Sequence, residues 1–194
     1  MPIESATGWE EIFGRLQVRG VQRIGLVVAD GIKGLDTVIG ECFPRTPLQR
    51  YVTHLKRNIY AKGKNGDKTA IAADLRDIFR IGQCDYTIEK AWTKWQDMCD
   101  NWGKDYRAIK LLRNNTDYKA YMTYLNYALE IQSMIYTTNW IERLNRDFRR
   151  VTRMRTDMPN EESVLTLMGS VAMDHKSYDR ILPNITSDKQ LFPD

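Results

Sequence analysis

The chain has 194 residues, 42% hydrophobic and 28% charged. That length suits one large domain or a little more than one, and that composition excludes a disordered or fibrous chain. Its longest apolar run, Ile24 to Ala29, is six residues, far short of the ~20 that a membrane-spanning helix needs. No basic-then-apolar leader follows Met1, and Cys42, Cys84 and Cys99 form no C-x-x-C pair. A disulfide framework and an ordinary zinc site are therefore disfavoured, and the expectation is a cytoplasmic protein. The net charge of +4 is unevenly spread. Arg45 to Lys68 carries seven basic residues and one acid, and Thr137 to Thr156 carries six arginines and two acids. Such basic segments suit a polyanion, although a solvated helix face explains them equally well.

The first predicted element is an amphipathic helix over Gly8 to Arg19, with Trp9, Ile12, Phe13 and Leu16 on one face and Gly20 ending it. Ile24 to Ala29 is too short and too rich in branched residues for a buried helix. It reads as a parallel strand covered on both faces, ending at Asp30-Gly31. A helix over about Gly34 to Glu41, a strand over Leu48 to Thr53 and a helix from Leu55 to Ala61 complete a β-α-β-α block. Beyond the polar stretch Lys62 to Gly66, the apolar spacing becomes helical throughout. One helix presents Ile71, Leu75, Ile78 and Phe79, and the next presents Ile88, Trp92, Trp95, Cys99 and Trp102. A third is expected over Asp117 to Leu129, with Tyr118, Tyr121, Tyr124 and Tyr127. Core packing is favoured for these tyrosines over base stacking, because aromatic side chains dominate cores by buried area. A basic helix then follows Thr138, and a last helix spans Glu161 to Asp174.

Two carboxylates could carry chemistry. Asp30 ends a buried parallel strand, the edge at which α/β proteins place ligands, and a carboxylate there can hold a hard cation such as Mg²⁺. The competing reading is an Asp that bonds its own turn. Glu142 lies three residues after Asn139, the place of the acid in a capping box, and four before Arg146. It also heads a stripe with Arg146, Arg149 and Arg153, opposite Ile141, Leu144, Phe148 and Val151. An acid to hold a cation and arginines to hold flanking phosphates are what a metal-dependent phosphodiester enzyme requires. His54 opens a basic helix; a lone histidine is more often structural than catalytic.

Taken in order, Asp30-Gly31-Ile32-Lys33-Gly34, Val52-Thr53-His54 with Arg57-Asn58, and Ile135-Tyr136-Thr137-Thr138-Asn139 with Ile141-Glu142 and Leu144-Asn145-Arg146 form a series. It continues through Arg150-Val151-Thr152 and Pro159-Asn160-Glu161. The series resembles the bacterial Mutator-type insertion-sequence transposases over almost the whole chain. The resemblance implies an α/β, RNase H-like core, mostly helical by residue count, interrupted by an all-helical insertion. Residues 1–62 and 131–194 would supply the core and 63–130 the insertion. It implies an Asp-Asp-Glu set in which Asp30 is the second Asp and Glu142, 112 residues later, the Glu. The resemblance implies that His54 is catalytic with them, since it matches the histidine of a C/D-x-x-H motif whose first position is here Tyr51. The family's first catalytic Asp and its end-binding region precede the segment matched here. The chain is thus expected to be a carboxy-terminal, truncated part, inactive alone and without the first strands of its sheet.

The activity implied is cleavage and strand transfer at transposon ends by two Mg²⁺ ions, with Mn²⁺ as a substitute. Asp30 and Glu142 would be the metal ligands. Lys56, Arg57, Arg146, Arg149, Arg150 and Arg153 would grip DNA phosphates. The partners implied are double-stranded DNA, as transposon end and target, and further copies of the chain assembled on it. The setting would be the bacterial nucleoid, with no membrane. The alternative is a non-catalytic fragment that binds DNA or the transposase and inhibits the full-length enzyme. A different Mg²⁺-dependent nuclease of similar fold is disfavoured by the particular Thr-Thr-Asn-x-Ile-Glu context.

Overall fold

The computed structural model describes residues 5–136, 139–154 and 160–174. They fall into two compact units, one running to Tyr136 and the other beginning at Thr137. The protein is mostly helical with one small parallel sheet.

Helix α1 (Ala6–Val18) begins where the Ser5 hydroxyl accepts from the Gly8 N–H at 3.3 Å, which satisfies one of the helix's orphan donors. It ends at Gly20, whose φ of 92° lets the Val21 N–H turn back to the Leu16 carbonyl at 3.0 Å. Strand β1 (Val27–Ala29) and strand β2 (Leu48–Arg50) pair in parallel, with Val27 opposite Leu48 and Ala29 opposite Arg50. Between them lies α2 (Leu35–Cys42), preceded by Gly34 at φ 79°. Phe13, Ala29, Leu35, Val38, Ile39 and Phe43 close a core under this α-β-α-β segment.

The strand at Ile24 to Ala29 is shorter and less covered than its apolar run implies. Only three residues pair, and Ala29 alone is fully buried. Among the described residues β1 has β2 as its one strand neighbour.

Helix α3 (Val52–Tyr60) begins the second core. Its Val52, Leu55 and Ile59 pack with Ile71, Leu75 and Ile78 of α4 (Lys68–Ile78) and with Ala91, Trp95, Met98 and Cys99 of α5 (Ile88–Trp102). A short α6 (Arg107–Lys110) adds Ile109. The single α-helix expected over Asp117 to Leu129 is instead two 3-10 helices, Thr116–Tyr121 and Thr123–Asn126, followed by α7 (Leu129–Tyr136). The tyrosine spacing is compatible with the change. A repeat of three matches the three residues per turn of a 3-10 helix, whereas it drifts around an α-helix. Tyr124 and Tyr127 are fully buried, as the packing reading expects. Their hydroxyls are satisfied by the Arg80 carbonyl at 2.7 Å and the Gly25 carbonyl at 3.1 Å.

Burial raises the Tyr86, Tyr127 and Tyr136 phenols from 10.0 to about 12, and pushes Tyr124 further in the same direction. A raised folded-state pKa means that the folded chain keeps its protons longer than the unfolded one. Stability is therefore whole below pH ~10 and falls as pH rises towards the folded values. Tyrosinate absorbance at high pH is expected to show one group of residues titrating normally and a second appearing only with cooperative unfolding. A single transition near the ordinary tyrosine value, with the fold intact, would contradict this burial.

The described residues of the second unit form α8 (Asn139–Met154) and α9 (Glu161–Asp174), which pack on each other. Asn160 caps α9, its side-chain oxygen accepting from the Ser163 N–H at 2.8 Å. Thr137, Thr138 and Pro159, and the side chain of the expected cap Asn139, lie outside the described residues.

Candidate active site

The two parallel strands bring their carboxyl ends side by side. The Tyr51 N–H bonds the Ala29 carbonyl at 3.2 Å, one step beyond the ladder. Asp30 follows β1 at this edge, and α3 starts beside it after β2. His54 stands in the first turn of α3, and its Nδ1 lies 2.8 Å from Asp30 Oδ2. The Tyr51 ring meets the His54 ring edge-on at 6.0 Å and flanks the pair. Two of the three residues expected to be catalytic thus touch, although 24 positions separate them.

Asp30 also does what the turn reading expects. Its Oδ1 accepts from the Gly31 N–H at 2.7 Å, and its carbonyl accepts from the Ile32 N–H at 2.7 Å. The two roles are compatible. A carboxylate has about four lone-pair sites, and the Asp30 side chain is 51% exposed. Oxygen donors remain for a hard cation, the donor chemistry that Mg²⁺ prefers. Among the described residues no cluster of three or more His, Cys, Asp or Glu surrounds it.

Sequence reasoning missed the neighbours of this pair. Gln49, fully buried on β2, donates to the Arg50 and Tyr121 carbonyls at 2.6 and 3.1 Å and accepts from the Tyr124 N–H at 2.7 Å. Thr123 adds a bond to the Leu48 carbonyl at 2.8 Å. These contacts fasten the 3-10 segment to β2 and place Tyr121 beside Arg50. Burial pushes the Tyr121 phenol up, the Arg50 guanidinium beside it pulls the other way, and the Asp30 charge adds to the rise. The one signal in the sequence was two long polar residues, Gln49 and Arg50, where an apolar strand should continue.

The basic residues divide by environment. Arg57 is exposed on α3. Lys56 is half-buried, its ammonium over the rings of Phe79 at 5.7 Å and Tyr136 at 5.4 Å. Burial lowers its pKa, and Arg76 adds to the effect. Its charge is held inward by these two rings. In the second unit, Glu142, Arg146, Arg149, Arg150 and Arg153 are exposed along α8, while Leu144, Phe148 and Val151 are half-buried. With Asn145, these five line one recess, so the acid-and-arginine stripe expected from the sequence is a real surface of this helix.

The model of the transposase family "Transposase, Mutator family" matches residues 1–180. The chain belongs to the Mutator family of transposases. Among its relatives are transposases for insertion sequence elements. That of IS905 from Lactococcus lactis is 32% identical over 163 residues, covering 84% of this chain and 40% of that protein. That of IS1201 from Lactobacillus helveticus is 27% identical over 176 residues, covering 90% and 46%. That of IS256 in transposon Tn4001 from Staphylococcus aureus is 29% identical over 171 residues, covering 88% and 43%. This Mutator-type chain therefore spans less than half the length of these relatives. No described helix is long and apolar enough to cross a membrane.

Proposed function

We propose that this chain carries the second and third acids of a DNA transposase, Asp30 and Glu142, within an RNase H-like core. Residues 1–62 and 131–194 belong to that core, and 63–130 form its helical insertion. The observation that carries the reading is the Asp30–His54 pair at the carboxyl edge of a parallel sheet, inside a chain that the family covers almost throughout.

Asp30 and Glu142 would hold a pair of divalent cations, Mg²⁺ or Mn²⁺. When bound, these supply Lewis-acid stabilisation of the attacking and leaving oxygens of a phosphodiester. The protein's own contributions follow from the geometry described. His54 fixes one Asp30 oxygen, and the Gly31 N–H fixes the other. The carboxylate is thus oriented before any ligand arrives, which limits the ordering left to occur on binding. Arg146, Arg149, Arg150 and Arg153 hold DNA phosphates on the exposed side of α8, and Arg57 does so from α3. Such contacts position DNA without reading its sequence. Work at transposon ends and targets, assembly of several copies on DNA, and a place at the nucleoid belong to the same reading.

Mn²⁺ added to isotope-labelled protein should broaden the amide signals around Asp30 and Glu142 together, and Asp30→Ala should remove both effects. Broadening confined to other carboxylates would refute the assignment. Broadening at neither acid, with DNA binding intact, would favour the non-catalytic binding fragment.

DNA binding has its own expected signature. Arg149→Ala with Arg153→Ala should weaken binding alike on unrelated duplexes. The double substitution should also flatten the logarithmic salt slope by about one unit for each phosphate no longer gripped. Fluorescence anisotropy across a salt series reads both quantities. Tight, salt-insensitive preference for one duplex would contradict the phosphate role.

A further inference from the structure

We propose that the helical part of the first unit carries its own surface for the phosphate backbone of double-stranded DNA, made of Lys62, Lys64 and Lys68 with Lys104, Arg107 and Lys110. The choice of DNA rests on the reading of the chain as a transposase. The surface is additional to the arginines of α8 and to Arg57. Its second half, Lys104 to Lys110, lies in neither of the two basic segments of the sequence.

The fold joins two stretches that are distant in the chain. The Tyr106 hydroxyl accepts from the Lys64 N–H at 3.0 Å, 42 positions away, and donates to the Asp67 carboxylate. Tyr106 is buried. The α3–α4 connection is thus held against the α5–α6 connection at both ends of a turn, which the Asp67 N–H closes on the Lys64 carbonyl at 3.1 Å. Gly103 brings the second stretch in closely. A Cβ there would strike the Cys99 carbonyl and lie 3.2 Å from the Lys110 Cα, so α6 folds directly onto the end of α5. Ile109 enters the core, while Arg107 and Lys110, one turn apart, stay exposed.

The charges of this surface are uncompensated. The two stretches hold six cations against two acids, Asp67 and Asp105, and Asp67 is engaged by Tyr106. Five of the cations are exposed and Lys68 is half-buried. Lys68 Nζ donates to the neutral Asn65 Oδ1 at 2.8 Å, which leaves its charge in place. Among the described residues none of the six forms an ion pair. Elsewhere on the same helical core, Asp77 holds Arg80 and Lys94, and Asp100 holds Arg113. Like charges gathered without counter-charges repel one another, and a polyanion relieves that repulsion. Lysines are point charges on flexible stems, suited to a backbone of repeated phosphates. A protein partner would need an apolar, well-packed centre, and the one large exposed hydrophobic residue within or directly beside these stretches is Leu111.

The test uses the whole 194-residue chain and a short DNA duplex of arbitrary sequence, without metal. Lysine acetylation read by mass spectrometry should show Lys62, Lys64, Lys104 and Lys110 protected by the duplex and exposed again at high salt. Lys90, exposed on the face where Asp77 binds its neighbours, should stay reactive. Changing Lys62, Lys64 and Lys68 together to Gln, or Lys104, Arg107 and Lys110 together to Gln, should each weaken binding several-fold. Each triple should also flatten the salt slope by about 0.9 for every phosphate released. Protection of Lys90 equal to the rest would overturn the proposal, and so would a parental salt slope in either triple. Protection by poly-glutamate but not by the duplex would replace DNA with an acidic protein, and tighter binding of an RNA duplex of equal length would replace it with RNA. The Arg149 and Arg153 variants and Mn²⁺ broadening at Asp30 test the transposase reading separately, so either idea can fail alone.

Discussion

Replacing Trp95 with alanine is expected to cost about 3–5 kcal/mol, the range for truncating a large buried aromatic. Trp95 is fully buried at the centre of the helical core. It stacks on Tyr118 at 5.0 Å and meets the edge of Phe79 at 6.3 Å, and its indole nitrogen reaches the Leu112 carbonyl at 3.4 Å. Removing it leaves a cavity, frees that carbonyl and undoes the aromatic stack that ends at Tyr121. Since whole domains are stable by only about 5–15 kcal/mol, the variant should lose a large share of its stability. Urea denaturation followed by circular dichroism gives the number. A loss below ~1 kcal/mol would mean that α5 is not the axis of this core. Trp95→Phe should recover most of the loss, because it keeps a ring against Tyr118 and Phe79.

The second large effect concerns catalysis. Asp30→Ala and Glu142→Ala should each abolish Mg²⁺-dependent nicking of supercoiled plasmid when the chain is joined to the amino-terminal portion of a relative's transposase. The loss should exceed the roughly 10–100-fold that follows removal of a mere outer partner of a metal site. His54→Ala should fall within that smaller range, because His54 acts through Asp30 and not on the reacting atoms. His54→Gln, which can still donate a hydrogen bond to Asp30, should recover part of the loss. Equal losses for Asp30→Ala and His54→Ala would place His54 among the groups that touch the substrate. Nicking that survives both carboxylate substitutions would end the assignment.

Much of this molecule can be read locally. Helix ends at Ser5, Gly20, Thr87 and Asn160 follow from capping chemistry within a few residues. The faces of α4, α5 and α8 follow from apolar spacing, and so does the arginine stripe that begins at Glu142. Family membership is legible because the motif series keeps its order and wording along the chain.

Other features depend on distance. The run from Ile24 looks like a strand covered on both faces, but a strand's length and cover are set by its neighbours, and β2 is the one described here. The tyrosine series reads as a single α-helix until the bonds from Gln49 and Thr123 tie its backbone to β2, more than 70 residues away in sequence. Asp30 and His54 are each ambiguous alone. Their 2.8 Å approach exists because two parallel strands in register end at the same edge. Arg50 carries no motif of its own in the sequence. The strand register sets it opposite Ala29, and its Nε is enclosed without a hydrogen-bond partner. The sequence by itself determined most of the helices, their faces and the family, because those depend on residues a few positions apart. The pairing at Asp30 and the enclosure of Arg50 were decided by tertiary structure, because strand register and burial are properties of segments that meet only in the fold.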